Sequence, residues 1–274
     1  MDAFRSTTGV PLRPALDRRT AAPAVTPAAA PPMTAVAVIL PVYNEVDLVD
    51  RVFADVAGFA QQHRDYHFIF VDDGSSDGTA DQLRQCLAAA DDPRLGLIAY
   101  HPNGGKGHAI RTAVRGCHAQ RIIFTDGDLA YSLDHLPRLV EALETHEVVI
   151  GSRSLLHEGQ RNIRVSRKIM GWIFNRCARL ILNLPYPDTQ AGLKGFRRDA
   201  AGAIFSRQRL TDFSFDVELV YLARRLGYRI GQVPAHVSAT HSYKVSRVNM
   251  LRDPLRMFIA LWRIRFNALR GLYG

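Results

Sequence analysis

The sequence predicts an α/β fold on a mostly parallel sheet flanked by helices, and three observations predict it. Apolar runs of strand length recur over residues 36–40, 67–71, 95–100, 121–125 and 148–150. Segments between them carry apolar residues at helical spacing, as at Val46, Val49, Val52, Phe53, Val56 and Phe59. Two of the runs stop abruptly at carboxylates, at Asp72-Asp73 and at Asp126-Gly127-Asp128. Strand–helix alternation of this kind requires right-handed crossovers. In open α/β sheets ligands sit beyond the carboxyl ends of the strands, where both acidic turns would lie.

Taken in order, residues 1–34 are rich in Ala, Pro and Thr without an apolar period and are expected to be a disordered tail. Their Ala-Pro alternation supplies no signal-peptide core, and no stretch of about 18 uncharged apolar residues occurs anywhere. The first strand ends at Pro41-Val42-Tyr43-Asn44-Glu45. Gly74 and Gly78 break the second, and Ser76 or Thr79 is placed to cap the helix through Leu83 and Leu87. The third leads into the Asn103-Gly104-Gly105-Lys106-Gly107 loop and another helix. The second half is less regular. It reads as an amphipathic helix over 167–184, a polar loop or edge strand over 188–196, a helix over 213–226 and a strand over 228–233. A basic amphipathic helix over 249–272 closes the chain. The expected organisation is a tail over 1–34, one catalytic-sized domain over 35–240 and a helical extension over 241–274.

The formal charge of +9 is concentrated. Residues 153–179 hold seven Arg or Lys against Glu158, and residues 244–270 hold seven against Asp253. Such segments ask for an anionic partner: phosphate, a lipid surface or nucleic acid. Cys86, Cys117 and Cys177 are scattered without metal-ligand spacing, which argues against a zinc site or a disulfide framework.

Paired carboxylates ending a buried strand are electrostatically costly without a partner. An EF-hand reading of Asp73, Ser75 and Asp77 fails because Arg84 stands where the bidentate Glu belongs. Asp126 and Asp128, two apart on an extended chain, point to one side and suit a hard cation. Gly104-Gly105-Lys106-Gly107 lacks the phosphate-loop spacing and reads on its own as a tight turn. Asp216 and Glu218 fall on different faces of a helix, so they imply no acid–base pair; capping or pairing with a cation is an equal reading.

Read together, these segments resemble glycosyltransferase family 2, in its polyprenyl- and dolichyl-phosphate sugar synthase branch. The resemblance rests on Leu40-Pro41-Val42-Tyr43-Asn44-Glu45, on 71–79 with its Asp-Asp-Gly-Ser-Ser-Asp-Gly-Thr, and on Asn103 to Gly107. It continues through Asp126-Gly127-Asp128, Gly151-Ser152-Arg153, Asp188 to Lys194 and Phe215-Asp216-Val217-Glu218-Leu219. It implies a GT-A, Rossmann-like domain that binds a nucleoside diphosphate sugar, UDP-glucose foremost, and passes the hexose with inversion to a polyprenyl or dolichyl monophosphate. By position, Pro41, Tyr43, Glu45 and Asp73 would line the base and ribose pocket, with Asp72 in support and Lys106 near the donor. Asp126 and Asp128 would hold Mg²⁺ or Mn²⁺. Arg153 and Arg167 would meet phosphate oxygens, and Gln190 and Lys194 would face the sugar or the acceptor phosphate. Ala130 stands where relatives often place a further polar residue near the metal, and Ala191-Gly192-Leu193 departs from the usual lining.

A lipid phosphate is already an anion, so such a reaction needs no strong general base. Transfer to a hydroxyl acceptor would need one, Asp216 or Glu218 being the candidates. The terminal helix either lies in a bilayer interface on the cytoplasmic side, with Arg161, Arg164 and Arg167 completing the surface, or packs on the core with its arginines in water. An integral membrane protein that recruits the chain is a further expected partner. A nucleic-acid-binding module is disfavoured, because no recognised binding motif appears.

Overall fold

The computed structural model describes residues 36–156, 165–238 and 252–274, with side chains of the last two stretches described from 173 and 257 onward. The expected tail, Arg161, Arg164, Lys244 and the side chain of Arg167 therefore lie outside the described residues.

Seven strands form one sheet: β1 (Val36–Val42), β2 (Tyr66–Asp72), β3 (Leu95–Ala99), β4 (Arg121–Phe124), β5 (Val148–Ser152), β6 (Lys194–Arg197) and β7 (Ile230–Pro234). Their order is β3-β2-β1-β4-β6-β5-β7. All pairings are parallel except those of β6, which runs antiparallel to both β4 and β5. The expected mostly parallel sheet is thus present. One expectation needs correcting: the segment read as a loop or edge strand supplies an interior strand. Lys194, Gly195 and Phe196 are buried there, and Gly195 lies against Leu143, Leu139 and Ile123.

Helices cover both faces. On one side lie α1 (Val49–Gln62), α2 (Thr79–Ala90) and α4 (Leu136–Ala142). The other side holds α3 (Lys106–Gly116), α5 (Val165–Leu182), α6 (Arg198–Arg207), α7 (Phe215–Arg225) and α8 (Arg252–Leu269). Strand alternation divides the two cores: Val36, Val38 and Leu40 of β1 pack on the first side, Ala37 and Ile39 on the second. A short 3₁₀ turn, Val46–Leu48, precedes α1.

The chain leaves β1 toward β2 on one side and later returns to β4 on the other, which creates a topological switch point. The register brings Val42 beside Asp72 and Ile39 beside Phe124. It also sets Phe124 beside Lys194 and Ser152 beside Pro234. One rim of the sheet therefore collects the strand ends that lead into the 41–45, 72–73, 126–128, 153 and 188–194 segments.

Candidate active site at the strand-end rim

Two loops at the ends of β1 and β2 are laced together. Asn44, at φ 51°, donates its backbone N–H to Ser75 Oγ (2.8 Å) and accepts from Ser76 N–H at its side-chain oxygen (2.8 Å). Glu45 N–H donates to Thr79 Oγ1 (2.9 Å), and Thr79 in turn donates to Asp77 Oδ1 (2.6 Å). Burial raises the Asp77 pKa, but hydrogen bonds from Thr79 and Val46 outweigh it and leave the carboxyl below its ordinary value. Asp77 is thus a loop fastener. Around this knot, Tyr43 is 42% exposed, and Pro41 and Glu45 are half-buried.

Asp72 and Asp73 are both buried, yet their roles differ. Asp73 accepts from Tyr100 Oη (2.6 Å), Asn103 Nδ2 (2.8 Å), Gly104 N (2.8 Å) and Gly105 N (2.8 Å). Its carboxylate holds the Gly-Gly-Lys turn, with two donors on each oxygen. Burial, and then the bond to Asp73, raise the Tyr100 pKa. Asp72 accepts from Ser75 N at Oδ1 (3.0 Å), while its Oδ2 is buried with no hydrogen-bond partner. A buried acceptor left in this way costs about 1–3 kcal/mol, and Asp72 is the member of the pair that keeps an acceptor in reserve.

Lys106 opens α3 and places Nζ 2.5 Å from Asp126 Oδ1. Burial disfavours its charge, but Asp126 and Asp216 more than offset that and raise the Lys106 pKa. Two glycines set the packing around Asp126. A Cβ on Gly127 would strike the Pro41 carbonyl at the end of β1, and a Cβ on Gly192 would strike the Asp126 carboxylate itself. The 188–194 segment thus passes directly over Asp126. Asp128 is half-buried and accepts from Ala130 N (3.1 Å).

Arg153 grips Asp188 through its backbone N–H (3.0 Å), Nε (2.8 Å) and Nη2 (2.9 Å). Burial opposes the guanidinium charge, yet Tyr131 and Asp188 hold the Arg153 pKa above its ordinary value. The same clamp holds Asp188 low against the opposite pull of burial. This pairing was missed, although Asp188 heads the very segment that carries the resemblance. Gln190, half-buried, donates its backbone N–H to Asp188 (3.3 Å) and so follows the clamp.

Lys194, expected to face the sugar or the acceptor phosphate, is engaged within the chain. Its side chain is fully buried, with Nζ donating to Asp216 (2.5 Å) and to the Ala191 carbonyl (2.7 Å). Burial lowers the Lys194 pKa and raises that of Asp216. Glu218 is equally enclosed and accepts from Arg209 N–H, Leu210 N–H (2.8 Å) and Tyr273 Oη (2.6 Å). Both carboxylates of α7 are thus engaged within the chain. Arg167 lies on α5, and its side chain is not described.

Asp126 and Asp128 offer hard oxygen donors, and a pair of carboxylates suits Mg²⁺ or Mn²⁺ when a substrate phosphate supplies further ligands. Among the described residues no group of three His, Cys, Asp or Glu is placed to hold an ion, which makes the fit one shared with a phosphate. A shallow cleft of about 610 Å³, lined in part by Gln120, Arg121 and Arg197, lies at the other end of β4 and β6, away from these carboxylates.

The Glycosyl transferase family 2 model matches residues 37–205. The dolichyl-phosphate beta-glucosyltransferase of Dictyostelium discoideum is 26% identical over 249 residues, covering 86% of this chain and 75% of its own. The undecaprenyl-phosphate mannosyltransferase of Micrococcus luteus is 30% identical over 200 residues, covering 72% of this chain and 80% of its own. Among solved structures, glucosyl-3-phosphoglycerate synthase from Mycobacterium tuberculosis, crystallised with Mn²⁺, UDP-glucose and glycerol 3-phosphate, superposes with a TM-score of 0.63. The identity there is 19%, over 85% of this chain and 80% of the other, so the likeness is one of fold.

Proposed function

Because the chain belongs to glycosyl transferase family 2, and is a glycosyltransferase, we propose that it transfers glucose from UDP-glucose to a polyprenyl or dolichyl monophosphate. The proposed reaction inverts the anomeric configuration and depends on Mg²⁺ or Mn²⁺ at Asp126 and Asp128. One observation carries this reading: the switch-point rim holds an unpartnered buried oxygen of Asp72 together with the Lys106–Asp126 pair. Asp72 Oδ2 suits the imino N–H of a uracil ring, and Lys106 suits a diphosphate. The names of the relatives, one a glucosyltransferase and both acting on a polyprenyl-type phosphate, support the choice of donor sugar and acceptor.

The bound metal would act as a Lewis acid that stabilises the departing diphosphate. The chain's own residues do the rest. Asp72 orients the base, and Asp73 fixes the turn that carries Lys106. The Arg153–Asp188 clamp presents a guanidinium, about one-third exposed, to phosphate oxygens of donor or acceptor. Placing the acceptor phosphate in line with the anomeric carbon then supplies most of the remaining catalysis. A hydroxyl acceptor would need a base, and the two candidates in α7 are bound up with Lys194, Tyr273 and backbone N–H groups. That observation favours the phosphate acceptor.

The acceptor implies work at a membrane surface, and we place it on the cytoplasmic side. No described helix is long and apolar enough to cross a membrane. Helix α8 buries Ala260, Leu261 and Ile264 but turns Ile259, Trp262, Phe266 and Leu269 outward, interleaved with Arg263, Arg265 and Arg270. That face suits an anionic lipid interface. Radiolabelled UDP- and GDP-sugars, polyprenyl phosphate and Mn²⁺, incubated with the protein and extracted with organic solvent, test the proposal. Label from UDP-glucose should enter the organic phase, and Asp128→Ala should cut the rate by about a hundredfold or more while the protein stays folded. Transfer only to a hydroxyl acceptor would refute it.

A further inference from the structure

Asp126 is paired with a cation from within the chain, Lys106. Lys106 is the first residue of α3, an 11-residue helix whose first turn holds no acidic residue. A cation at that point opposes the helix dipole, and Asp126 offsets it from 20 positions further along the chain. The backbone beneath Lys106 is fixed on every side. Gly107 N–H donates to the Thr211 carbonyl (2.9 Å), and Gln208 Nε2 donates to the Gly107 carbonyl (3.0 Å). A Cβ on Gly105 would come within 2.5 Å of Thr211 O, and Asp73 holds the Gly104 and Gly105 N–H groups. Only the flexible four-carbon stem of the lysine is left to swing. The nearby carboxylate of Asp216 is already taken by Lys194 (2.5 Å). An ammonium leaving Asp126 therefore needs an incoming anion.

We propose that Lys106 is a tethered counter-ion, seated on Asp126 until nucleotide arrives and then handed to the donor diphosphate, so that nucleotide and divalent ion bind with strong positive coupling. The inference rests on the nucleotide-sugar reading above. A divalent ion arriving alone meets a carboxylate already neutralised by an ammonium. Among the described residues no group of three His, Cys, Asp or Glu is there to hold it. The diphosphate removes both obstacles, since it draws the ammonium away and supplies oxygen ligands. By linkage the ion must strengthen nucleotide binding by the same factor that the nucleotide strengthens ion binding.

The test is binding rather than turnover: free Mn²⁺ followed by electron paramagnetic resonance, and UDP followed by calorimetry. The wild-type protein should bind Mn²⁺ about tenfold or more tighter with saturating UDP than without it, within the usual span of coupling. Lys106→Met and Lys106→Gln should bind Mn²⁺ alone about tenfold tighter than wild type, bind UDP more weakly, and lose most of the coupling. Equal Mn²⁺ affinity of the wild type with and without UDP overturns the proposal. So does a folded variant, verified by circular dichroism, that binds Mn²⁺ alone no better than wild type. Should both variants unfold, the wild-type comparison decides by itself. Failure of UDP to bind the wild type at any Mn²⁺ concentration is a different result, and refutes the nucleotide-sugar reading instead.

Discussion

Asp72 and Asp73 are adjacent and alike in burial, and their hydrogen bonds give them opposite tasks. Asp73 accepts four side-chain or backbone donors, so its energy is invested in the turn. Asp72 keeps one oxygen unmatched. Asp72→Asn should therefore weaken UDP binding by about tenfold or more, the worth of a hydrogen bond to a charged group, with little change in thermal unfolding. Calorimetry and a melting curve check this together; unchanged UDP affinity would remove Asp72 from the base pocket. The sequence showed that a carboxylate pair ended β2, but which of the two was spent depended on Tyr100 and Asn103, some 30 residues away. Lys194 is a similar case. Its place in the resembling segment was legible, whereas its pairing with Asp216 depends on where α7 packs.

At the scale of elements, the parallel strands were readable because each is a short, nearly continuous apolar run. Strand β6 was misread because it has four residues, includes Gly195 and ends on Arg197, so neither length nor alternation marks it. Helix α4 has seven residues, and α6 has ten with only Ala200, Ala201, Ile204 and Phe205 buried, so neither presents a long apolar period. The far edge strand β7 is fastened at its start by Arg229, whose backbone and guanidinium both donate to Glu147, just before β5. Hydrogen bonding from Arg229 pushes the Glu147 carboxyl down from 4.5 to about 2. A group lowered on folding stabilises the native state above its unfolded value and loses that contribution as pH falls toward the folded one. The stability gap between wild type and Glu147→Gln should accordingly be full near pH 6 and close between about 4.5 and about 2. Urea unfolding across that range measures it; a gap independent of pH would mean that the bond contributes nothing through ionisation.

Across the whole molecule, one rim gathers the acidic turns, and one helical face is exposed, apolar and interleaved with arginines. The placement of the acidic turns at the rim was legible from strand–helix alternation alone, because a parallel sheet delivers its strand ends to one side. What α8 does was not. The sequence offered interface or core, and the structure gives it one face for the core while its opposite face stays exposed, with Trp262 at 63%, Phe266 at 55% and Leu269 at 71%. Replacing Ile259, Trp262 and Phe266 together with Ser should reduce co-sedimentation with anionic vesicles by about tenfold or more, given the apolar area withdrawn. Folding should survive because each of these side chains is more than half exposed. Unchanged sedimentation would assign the helix to the core alone. On the proposed function, Asp126 and Asp128 would hold a divalent ion beside a nucleotide diphosphate at this rim. Crystals soaked with UDP and Mn²⁺, examined by anomalous scattering, test it most directly: the Mn²⁺ peak should lie between the two carboxylates and the pyrophosphate, and a peak elsewhere, with UDP bound away from Asp72, would contradict it.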